Sequence, residues 1–515
     1  MIAVSDGWKA AHEEALLPET FIELTYSVTE PGVQEDASSS ATVEESFSDA
    51  ASLVSTLPKH PEKYAVLEHN SWLLNGELYS REESSSDLGY VTSALSGADA
   101  TFTNYPTVTV AFSQVHTELI PGVTIVWSEA FGEYASSFRV RAFNGGTTVA
   151  QATIEGNTDT TSVVWLDMVN YDSITVEILS WSHPLHRARV TSIHLGVRVT
   201  YNKGDFLRYS HSQSVDLLSA ALPKNQISFV LRNDDGRWNP ENPTGAEKYL
   251  IERQEIHARY GMLVNGEIEW IDGGRFFLSG WTTPANGLQA TFTARDALEF
   301  MNEVYTGTKS GTLYAIAVAA FKQADLPLLD SGEARYFVDA SLKNYSTTFT
   351  NEYKISEVLQ MVAHMACSVI YQRRDGVVYL GPVPAEQGDY VVSRAVSYAH
   401  PEFVISKPLK AVSVGYGDSN KALVSVGESG EVQTVNNAFI LIEADALRVA
   451  QAAVNVLAGR KTISGEYRAD PRLDPLDTIE VESKYAVNNV VITSVEYSTS
   501  GGSFRGKYTG RVIKA

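Results

Sequence analysis

The sequence predicts a mainly β protein with one α+β portion, and three observations support this fold class. Short strand patterns follow one another evenly between residues 107 and 199 with no helical pattern between them, which is typical of a two-sheet jelly-roll β-sandwich. Strand patterns separated by turn signals return in residues 200–303 and 405–515, and each set predicts a β-barrel. Helical spacing of apolar residues first appears between residues 304 and 404, where it predicts an α+β insert.

The predicted domain boundaries follow these changes of pattern. An apolar fraction of 44% with 10% aromatic residues is enough to fill several packed cores and excludes wholesale disorder. The predicted segments are residues 1–62 (N-terminal arm and strand with an acidic, Ser-rich connector), 63–199 (jelly-roll sandwich), 200–303 (first barrel), 304–404 (α+β insert) and 405–515 (second barrel with one helix).

Composition limits the classes of protein to which the chain can belong. The formal net charge of −22 disfavours binding to nucleic-acid phosphates or anionic membranes, because such binding needs clustered Lys and Arg. The charge favours solubility, or a negatively charged wall past which DNA slides without binding. No stretch is apolar enough to cross a bilayer and the N-terminus has no signal-peptide pattern, so we expect synthesis in the cytoplasm. The single cysteine, Cys367, excludes an internal disulfide, and its apolar helical setting predicts an unreactive thiol.

A long corner in the first barrel is the most specified stretch of the chain. It occupies residues 233–245, between a strand pattern at residues 227–231 and another that starts at Gln254. The Asn233/Asp235 pair could suggest a calcium loop, but Arg237 stands at a ligand position and no bidentate glutamate follows. We therefore predict no metal site here, and a turn in which short polar side chains bond to their own backbone.

The sequence lacks the spacings that carry enzymatic chemistry. It has no His-Glu-x-x-His, no Gly-x-Ser-x-Gly and no Cys-His nucleophile in a polar loop. Asp470 and Asp477 could pass for the carboxylate pair of a glycosidase, but both lie in a turn fixed by proline. We predict that the protein is not an enzyme and that it needs no cofactor.

The predicted sandwich is a candidate for sugar binding. Tryptophan side chains can stack on sugar rings, and residues 182–189 form a locally basic segment that could contact a ligand or simply fix the strand ends. Trp127 and Trp165 lie inside strand patterns, where a core position is at least as well supported. The candidate glycan contacts are Trp72, Trp181, His183, His186 and Arg187.

Several motifs, taken in order, point to a known family. The first barrel carries Asn-Asp-Asp-Gly-Arg-Trp-Asn-Pro at residues 233–240, and the second carries Arg-Ala-Asp-Pro-Arg-Leu at 468–473 and Asp-Thr-Ile-Glu-Val at 477–481. With the insert between them and a closing segment at 506–511, this order resembles the tail-hub proteins of tailed bacteriophages and prophages. Residues 64–76, with the sandwich after them, look like an extra domain found in prophage minor structural proteins. The resemblance covers most of residues 60–515.

The resemblance implies a fold, an assembly and a location. It implies two hub-type β-barrels in a subunit that forms a homotrimer at the tip of the tail, within the virion. The implied partners are the tail tube or distal tail protein ring, the tail fibre or spike protein and the tape-measure protein, with DNA passing through the lumen without specific binding. Three copies of a two-barrel chain would present six similar barrels, which would match a threefold tip to a sixfold tube.

Two other hypotheses stay open at this point. The chain could be a receptor-binding tail protein whose jelly-roll grips a host surface glycan while the barrels serve as its mount. It could also be a cell-wall hydrolase, which the missing catalytic motifs disfavour.

Overall fold

The computed structural model describes residues 1–14, 19–28, 33–54, 68, 89–117, 119–129, 131–202, 204–242, 250, 252–284, 287–329, 333–384, 387–417, 420–457, 459–499 and 504–513. The prediction of a mainly β fold with a smaller helical part is confirmed. The chain forms two compact units, which are residues 26–199 with 329–333 (the sandwich unit) and residues 1–25, 200–328 and 334–515 (the larger unit). No helix among the described residues is long and apolar enough to cross a membrane.

The helices and strands are as follows in chain order. The helices are α1 (Asp6–Glu13), α2 (Val33–Asp36), α3 (Leu313–Ala324), α4 (Ile355–Met365) and α5 (Glu443–Leu457). The strands are β1 (Thr20–Val28), β2 (Ser38–Ala41), β3 (Tyr90–Leu95), β4 (Thr107–His116), β5 (Ile120–Val126), β6 (Ala135–Asn144), β7 (Thr147–Glu155), β8 (Thr161–Met168), β9 (Tyr171–Trp181), β10 (Arg187–Val190), β11 (Ser192–Leu195), β12 (Val197–Tyr201), β13 (Phe206–Ser214), β14 (Lys224–Arg232), β15 (Glu255–Val264), β16 (Glu267–Thr282), β17 (Gln289–Arg295), β18 (Ser310–Thr312), β19 (Tyr336–Val338), β20 (Ser346–Thr348), β21 (Val369–Gln372), β22 (Val378–Gly381), β23 (Gln387–Val392), β24 (Glu402–Ile405), β25 (Leu409–Tyr416), β26 (Asn420–Ser425), β27 (Glu431–Val435), β28 (Lys461–Arg468), β29 (Thr478–Glu482), β30 (Val487–Thr499) and β31 (Phe504–Val512).

The sandwich unit buries one core between two sheets. One sheet has the order β2-β4-β9-β6-β7 and the other β11-β5-β8, and residues of both contribute to a single hydrophobic cluster. Alternate residues of β6, such as Phe138 and Val140, face this core because successive side chains of a strand point to opposite faces. The jelly-roll connection of these strands stays a prediction.

The sandwich core begins earlier in the chain than residue 63. Val33 and Leu53 are buried in it, and the serine-rich β2 adds to its edge by pairing with β4. The predicted acidic connector therefore supplies an edge strand, for which backbone pairing and a few apolar anchors are sufficient. Residues 55–67, 69–88 and the boundary at residue 63 lie outside the described residues.

The larger unit contains two β modules with the same strand order. The first module consists of β13 to β17, in the spatial order β15-β16-β17-β14-β13. The second module consists of β24 and β28 to β31, in the spatial order β29-β30-β31-β28-β24. When the five strands of each module are numbered in chain order, both modules have the spatial order third, fourth, fifth, second, first. Every neighbouring pair in both modules is antiparallel. The two modules are joined in one sheet where β13 pairs with β30.

The helical part forms a separate core in the larger unit. Helices α3 and α4 pack against each other, and α5 packs against β25 and β26. All of these elements contribute buried residues to one hydrophobic cluster. Residues 409–457 therefore share their core with the predicted insert at 304–404, although they lie between the first two strands of the second module.

The corner at residues 233–242 has the predicted turn chemistry. Asn233 is buried, and its Oδ1 accepts a hydrogen bond from the backbone N–H of Trp238 at 2.9 Å. Asp235 Oδ1 accepts from the N–H of Arg237 at 3.0 Å, and Gly236 adopts a positive φ of 67° that glycine tolerates without strain. The prediction that short polar side chains bond to the local backbone is confirmed.

Candidate functional site

Trp181, one of the two tryptophans predicted to contact a sugar, does not offer an open ring face. Trp181 is only 1% exposed, its ring packs edge-on against Trp127, and its Nε1 donates to Glu133 Oε2 at 2.7 Å. A ring that is covered on this scale cannot stack on a sugar. Trp72 lies outside the described residues.

The other predicted contacts lie together at one end of the sandwich. His183 is exposed and stacks on His186 with ring centroids 5.2 Å apart. His186 Nδ1 lies 2.7 Å from Glu133 Oε1. The other carboxylate oxygen of Glu133 accepts a hydrogen bond from Trp181. Arg187 pairs with Glu45 at 2.7 Å and also donates to two backbone carbonyls of β3. These contacts fix the strand ends and leave His183 as the accessible member.

Glu68, Glu133 and His186 present ligand atoms within 4.8 Å of one another, a spacing that could suit a metal ion. Arg189 lies among them, with its guanidinium 2.5 Å from Glu68 and 3.6 Å from Glu133. A buried carboxylate that is already paired with a guanidinium needs no cation to balance its charge. The arrangement is therefore an internal ion-pair cluster.

The carboxylates considered for glycosidase chemistry are engaged in the fold. Asp470 is buried and pairs through its Oδ2 with the guanidinium of Arg472 at 2.5 Å. Asp477 accepts a hydrogen bond from the N–H of Asp474 at 2.7 Å, and burial raises its pKa to about 6. Asp470 is therefore not available as a general acid or base.

Buried polar groups lie at the junction of the two β modules. His211 of β13 is fully buried, with Nδ1 2.7 Å from the hydroxyl of Tyr260 and Nε2 2.9 Å from Asn225 Oδ1. Burial, with a smaller contribution from the nearby Arg374, lowers the pKa of His211 to about 3. The imidazole is therefore neutral at pH 7 and holds β13 in position by hydrogen bonds.

The two modules correspond residue by residue around their third and fourth strands. The residue two positions before the third strand has a positive φ in each module, 72° in the first and 78° in the second. The N–H of this residue donates to the carbonyl of a residue in the fourth strand. The N–H of that fourth-strand residue donates in turn to the carbonyl of the residue immediately before the third strand. All four hydrogen bonds measure 2.8 or 2.9 Å. The matched pairs are Arg253 with Leu476, Gln254 with Asp477, and Leu278 with Ile492.

The correspondence continues across the sheet. A β-bulge follows Leu278 in the pairing of β16 with β17, and an equivalent bulge follows Ile492 in the pairing of β30 with β31. When the strand pairings are traced across each module from Leu278 and from Ile492, they lead to His211 in β13 and to Phe403 in β24. These two residues therefore correspond. In the same way, Ser212 corresponds to Val404 and Gln213 to Ile405, so β24 is the counterpart of β13.

The two strand edges that correspond to the β13–β30 junction are the outer edge of β24 and the end of β16. Among the described residues, neither is paired with another strand. β13 pairs with residues 494–499 of β30, and residues 280–282 of β16 correspond to the start of that stretch. Among the described residues, no strand pairs with the side of residues 280–282 that faces away from β17. Among the strands that the structure describes, β24 pairs only with β28, and its side chains Phe403, Val404 and Ile405 are 42%, 62% and 62% exposed.

An apolar edge strand with one unpaired side is unusual in a protein that acts alone. Exposed edges pair readily with other chains, and monomeric proteins protect them with charges, prolines or bulges. β24 begins with the charged Glu402 and lies between Pro401 and Pro408, but its other three residues are apolar and exposed. This edge was not among the predicted site residues, and its signal in the sequence is the Phe-Val-Ile run between Pro401 and Pro408.

No family model and no curated protein matches the chain. Solved structures do: the 43 kDa tail protein of prophage MuSo2 from Shewanella oneidensis is 12% identical with a TM-score of 0.43, over 61% of this chain and 95% of that one. A tail protein from Neisseria meningitidis is 10% identical with a TM-score of 0.41, over 62% and 93%. The family 32 CBM from C. perfringens NanJ, solved with galactose, is 14% identical with a TM-score of 0.21, over 34% and 99%. The tail proteins among these neighbours are of the class that the sequence motifs resemble.

Proposed function

We propose that this chain is a structural protein of a bacteriophage tail tip or baseplate, where three copies form a hub between the sixfold tail tube and the distal fibre or spike. The observation that carries the proposal is the repeated β module, with one strand order, one pairing sense and matched bulges. Three chains with two equivalent modules each supply six equivalent elements, which resolves a mismatch between threefold and sixfold symmetry. The remaining proposed partners are the distal tail ring and the tape-measure protein, with DNA passing through the lumen.

The junction inside one chain supplies a template for the contact between chains. In the junction, Ser212 lies opposite Glu496 and Gln213 lies opposite Val495. Replacing each residue by its counterpart in the other module pairs Val404 with Thr282 and Ile405 with Trp281. In the proposed assembly, β24 of one copy therefore adds to β16 of the next copy by backbone hydrogen bonds.

This pairing has a clear physical driving force. It would satisfy the free backbone groups along β24 and remove its three exposed apolar side chains from water. It would also be heterologous, because the two edges that meet are different parts of the chain. Heterologous contacts close into rings when the rotation between copies permits, and a ring of three is the expected closed form.

A disulfide between copies tests this register. In a Cys367→Ser background, Val404→Cys and Thr282→Cys are expected to cross-link copies into dimers and closed trimers, because directly opposed residues lie within disulfide range. The matched control replaces Ile405 instead of Val404. A shift of one residue turns the side chain to the other face of the sheet, so this pair should remain uncross-linked.

The outcomes separate the parts of the proposal. Cross-linking of the 404/282 pair alone, read on a non-reducing gel, supports the strand pairing and the ring. A trimer by mass measurement with no 404/282 cross-link would reject the register and keep the hub. Particles that assemble normal tails without this protein would reject the hub itself.

A receptor-binding role for the sandwich is the second candidate function. The observation that favours it is the exposed His183 stacked on His186 beside Arg187 at one end of the sandwich. Glycan-array binding by the full chain that is lost in His183→Ala would support this role. Binding unchanged in that variant would remove His183 as a contact. We propose no enzymatic activity, and cleavage of purified peptidoglycan by the full chain would refute that.

A further inference from the structure

Residues 1–14, which we call the α1 arm, dock on the larger unit beside the end of β28. Ser5 begins α1, and its hydroxyl accepts a hydrogen bond from the N–H of Trp8 at 3.0 Å. Trp8 and His12 lie one turn apart on the helix and are 0% and 2% exposed. An isolated helix of this length is not stable in water, so α1 depends on the docking of its buried side.

The His12 ring is enclosed by residues that are distant in sequence. Its Nε2 lies 3.3 Å from the backbone carbonyl of Ala469, to which a ring nitrogen can only donate. The ring packs edge-on against Tyr390 of β23, with centroids 5.8 Å apart. The guanidinium of Arg468 donates to the backbone carbonyls of His12 and Glu14 at 2.7 and 2.8 Å. A neutral imidazole satisfies all of these contacts.

The charged groups around His12 do not compensate for a charge on its ring. Asp470 and Arg472 are 1% and 4% exposed and form an ion pair with each other, while Arg468 adds a second guanidinium. On the arm itself, the carboxylates of residues 13–14 are exposed, where water and salt screen them. Burial is the main cause that lowers the pKa of His12, and the attraction of Asp470 opposes it without overcoming it.

The docked arm also leaves buried polar atoms unsatisfied. In the described part of the chain, Trp8 Nε1 and the hydroxyl of Tyr390 have no hydrogen-bond partner. A buried donor without a partner loses the bond to water that it makes when it is exposed. These losses reduce the free energy that holds the arm in place, so a modest change at His12 is sufficient to shift the balance.

We propose that the α1 arm is a pH-sensitive strap, which is docked while His12 is neutral and is released when His12 is protonated, uncovering Tyr390 and Arg468. The imidazole of a released arm has an ordinary pKa near 6.5, whereas the docked state favours the neutral ring. Docking is therefore strongest above pH 6.5 and weakens as pH falls below that value. The strands beneath the arm keep their pairings, and the proposal does not depend on the hub.

Hydrogen exchange of the full chain at pH 8 and pH 5, corrected for the intrinsic exchange rate at each pH, tests the strap. We expect the protection of the α1 amides to fall about ten-fold at pH 5, while the amides of β28 stay protected. His12→Gln keeps a donor for the carbonyl of Ala469 and cannot ionise, so its α1 protection should change by about two-fold or less. The matched control is His400→Gln, an exposed histidine of the same unit, which should respond as the wild type does.

Three results would overturn the proposal. The first is equal protection of α1 at both pH values in the wild type. The second is an equally large loss in His12→Gln, which would assign the titration to another group, such as the Asp477 carboxylate that pairs with the terminal ammonium group. The third is a parallel loss in β28, which would mean that the whole unit unfolds. The comparison of α1 with β28 needs no substitution, so it decides the matter even if His12→Gln does not fold. None of these results bears on the cross-link between residues 404 and 282.

Discussion

Replacing Asp296 by Asn is expected to stabilise the protein at high pH and to destabilise it by about 1–3 kcal/mol at low pH. Burial raises the pKa of Asp296 from 3.8 to about 7, so the folded state favours the protonated form. The stability that this preference provides is complete below the unfolded pKa and is lost as pH rises through the folded pKa. A shift of about three units corresponds to a loss of about 4 kcal/mol by pH 8.

The amide of Asn cannot ionise, so Asp296→Asn avoids this loss. Its NH₂ group would stand where Oδ2 has no partner, which costs about 1–3 kcal/mol. The net gain in the free energy of unfolding is therefore about 1–3 kcal/mol at pH 8. The difference between the variant and the wild type should increase from pH 5 to about pH 7 and level off above it.

Urea unfolding of both proteins at pH 5 and pH 8 measures the effect, with tryptophan fluorescence as the signal. If the two units unfold separately, the transition of the larger unit is the relevant one. Glu299→Gln, which removes an exposed carboxylate nearby, serves as the control and should show no such pH dependence. An Asp296→Asn variant that is equally displaced at both pH values, or less stable than the wild type at pH 8, would refute the reasoning.

Three further predictions concern other buried groups. The pKa of His211 is lowered from 6.5 to about 3, so stability is lost as pH falls below 6.5; His211→Gln should lose about 3 kcal/mol less than the wild type between pH 7 and pH 4 in urea unfolding. Trp181→Phe removes a hydrogen bond to buried Glu133 and should cost the sandwich about 2–3 kcal/mol in thermal unfolding. Gly122 has a φ of 147°, and an added Cβ would lie 1.8 Å from the carbonyl oxygen of Val164. Gly122→Ala should therefore cost about 3 kcal/mol or more, against about 1 kcal/mol for Gly145→Ala, where the space is open.

The mainly β fold could be predicted because the sheets depend on local alternation of apolar and polar residues. The repeat of the two β modules could be suggested only by resemblance, since it depends on which strands pair. β24 and β28 are adjacent in the sheet, yet residues 406–460 lie between them and contribute to a different core. Periodicity within a strand contains no information about a partner so distant in sequence.

Trp181 shows why a candidate site residue can be misplaced by pattern alone. In β9 the buried residues Ile174, Val176 and Ile178 alternate, and simple alternation would put residue 181 on the opposite, outer face. The register of β9 against β6 shifts near Ser137, and these irregularities turn Trp181 back towards the core. Asp296 was missed for a similar reason, because a missing hydrogen-bond partner is a property of packing and not of sequence.

The contrast between matched residues of the two modules yields a final prediction. His211 is fully buried because β30 covers β13, whereas its counterpart Phe403 is 42% exposed, since no strand in the described part of the chain covers the outer edge of β24. If a second copy takes the place that β30 takes in the internal junction, the backbone amides of residues 402–405 should be protected only in the assembly. Hydrogen exchange measured across a dilution series should then show fast exchange of this strand in dilute protein and slow exchange in the oligomer, with β13 protected in both. Exchange of residues 402–405 that stays fast in an oligomer would mean that copies join through another surface.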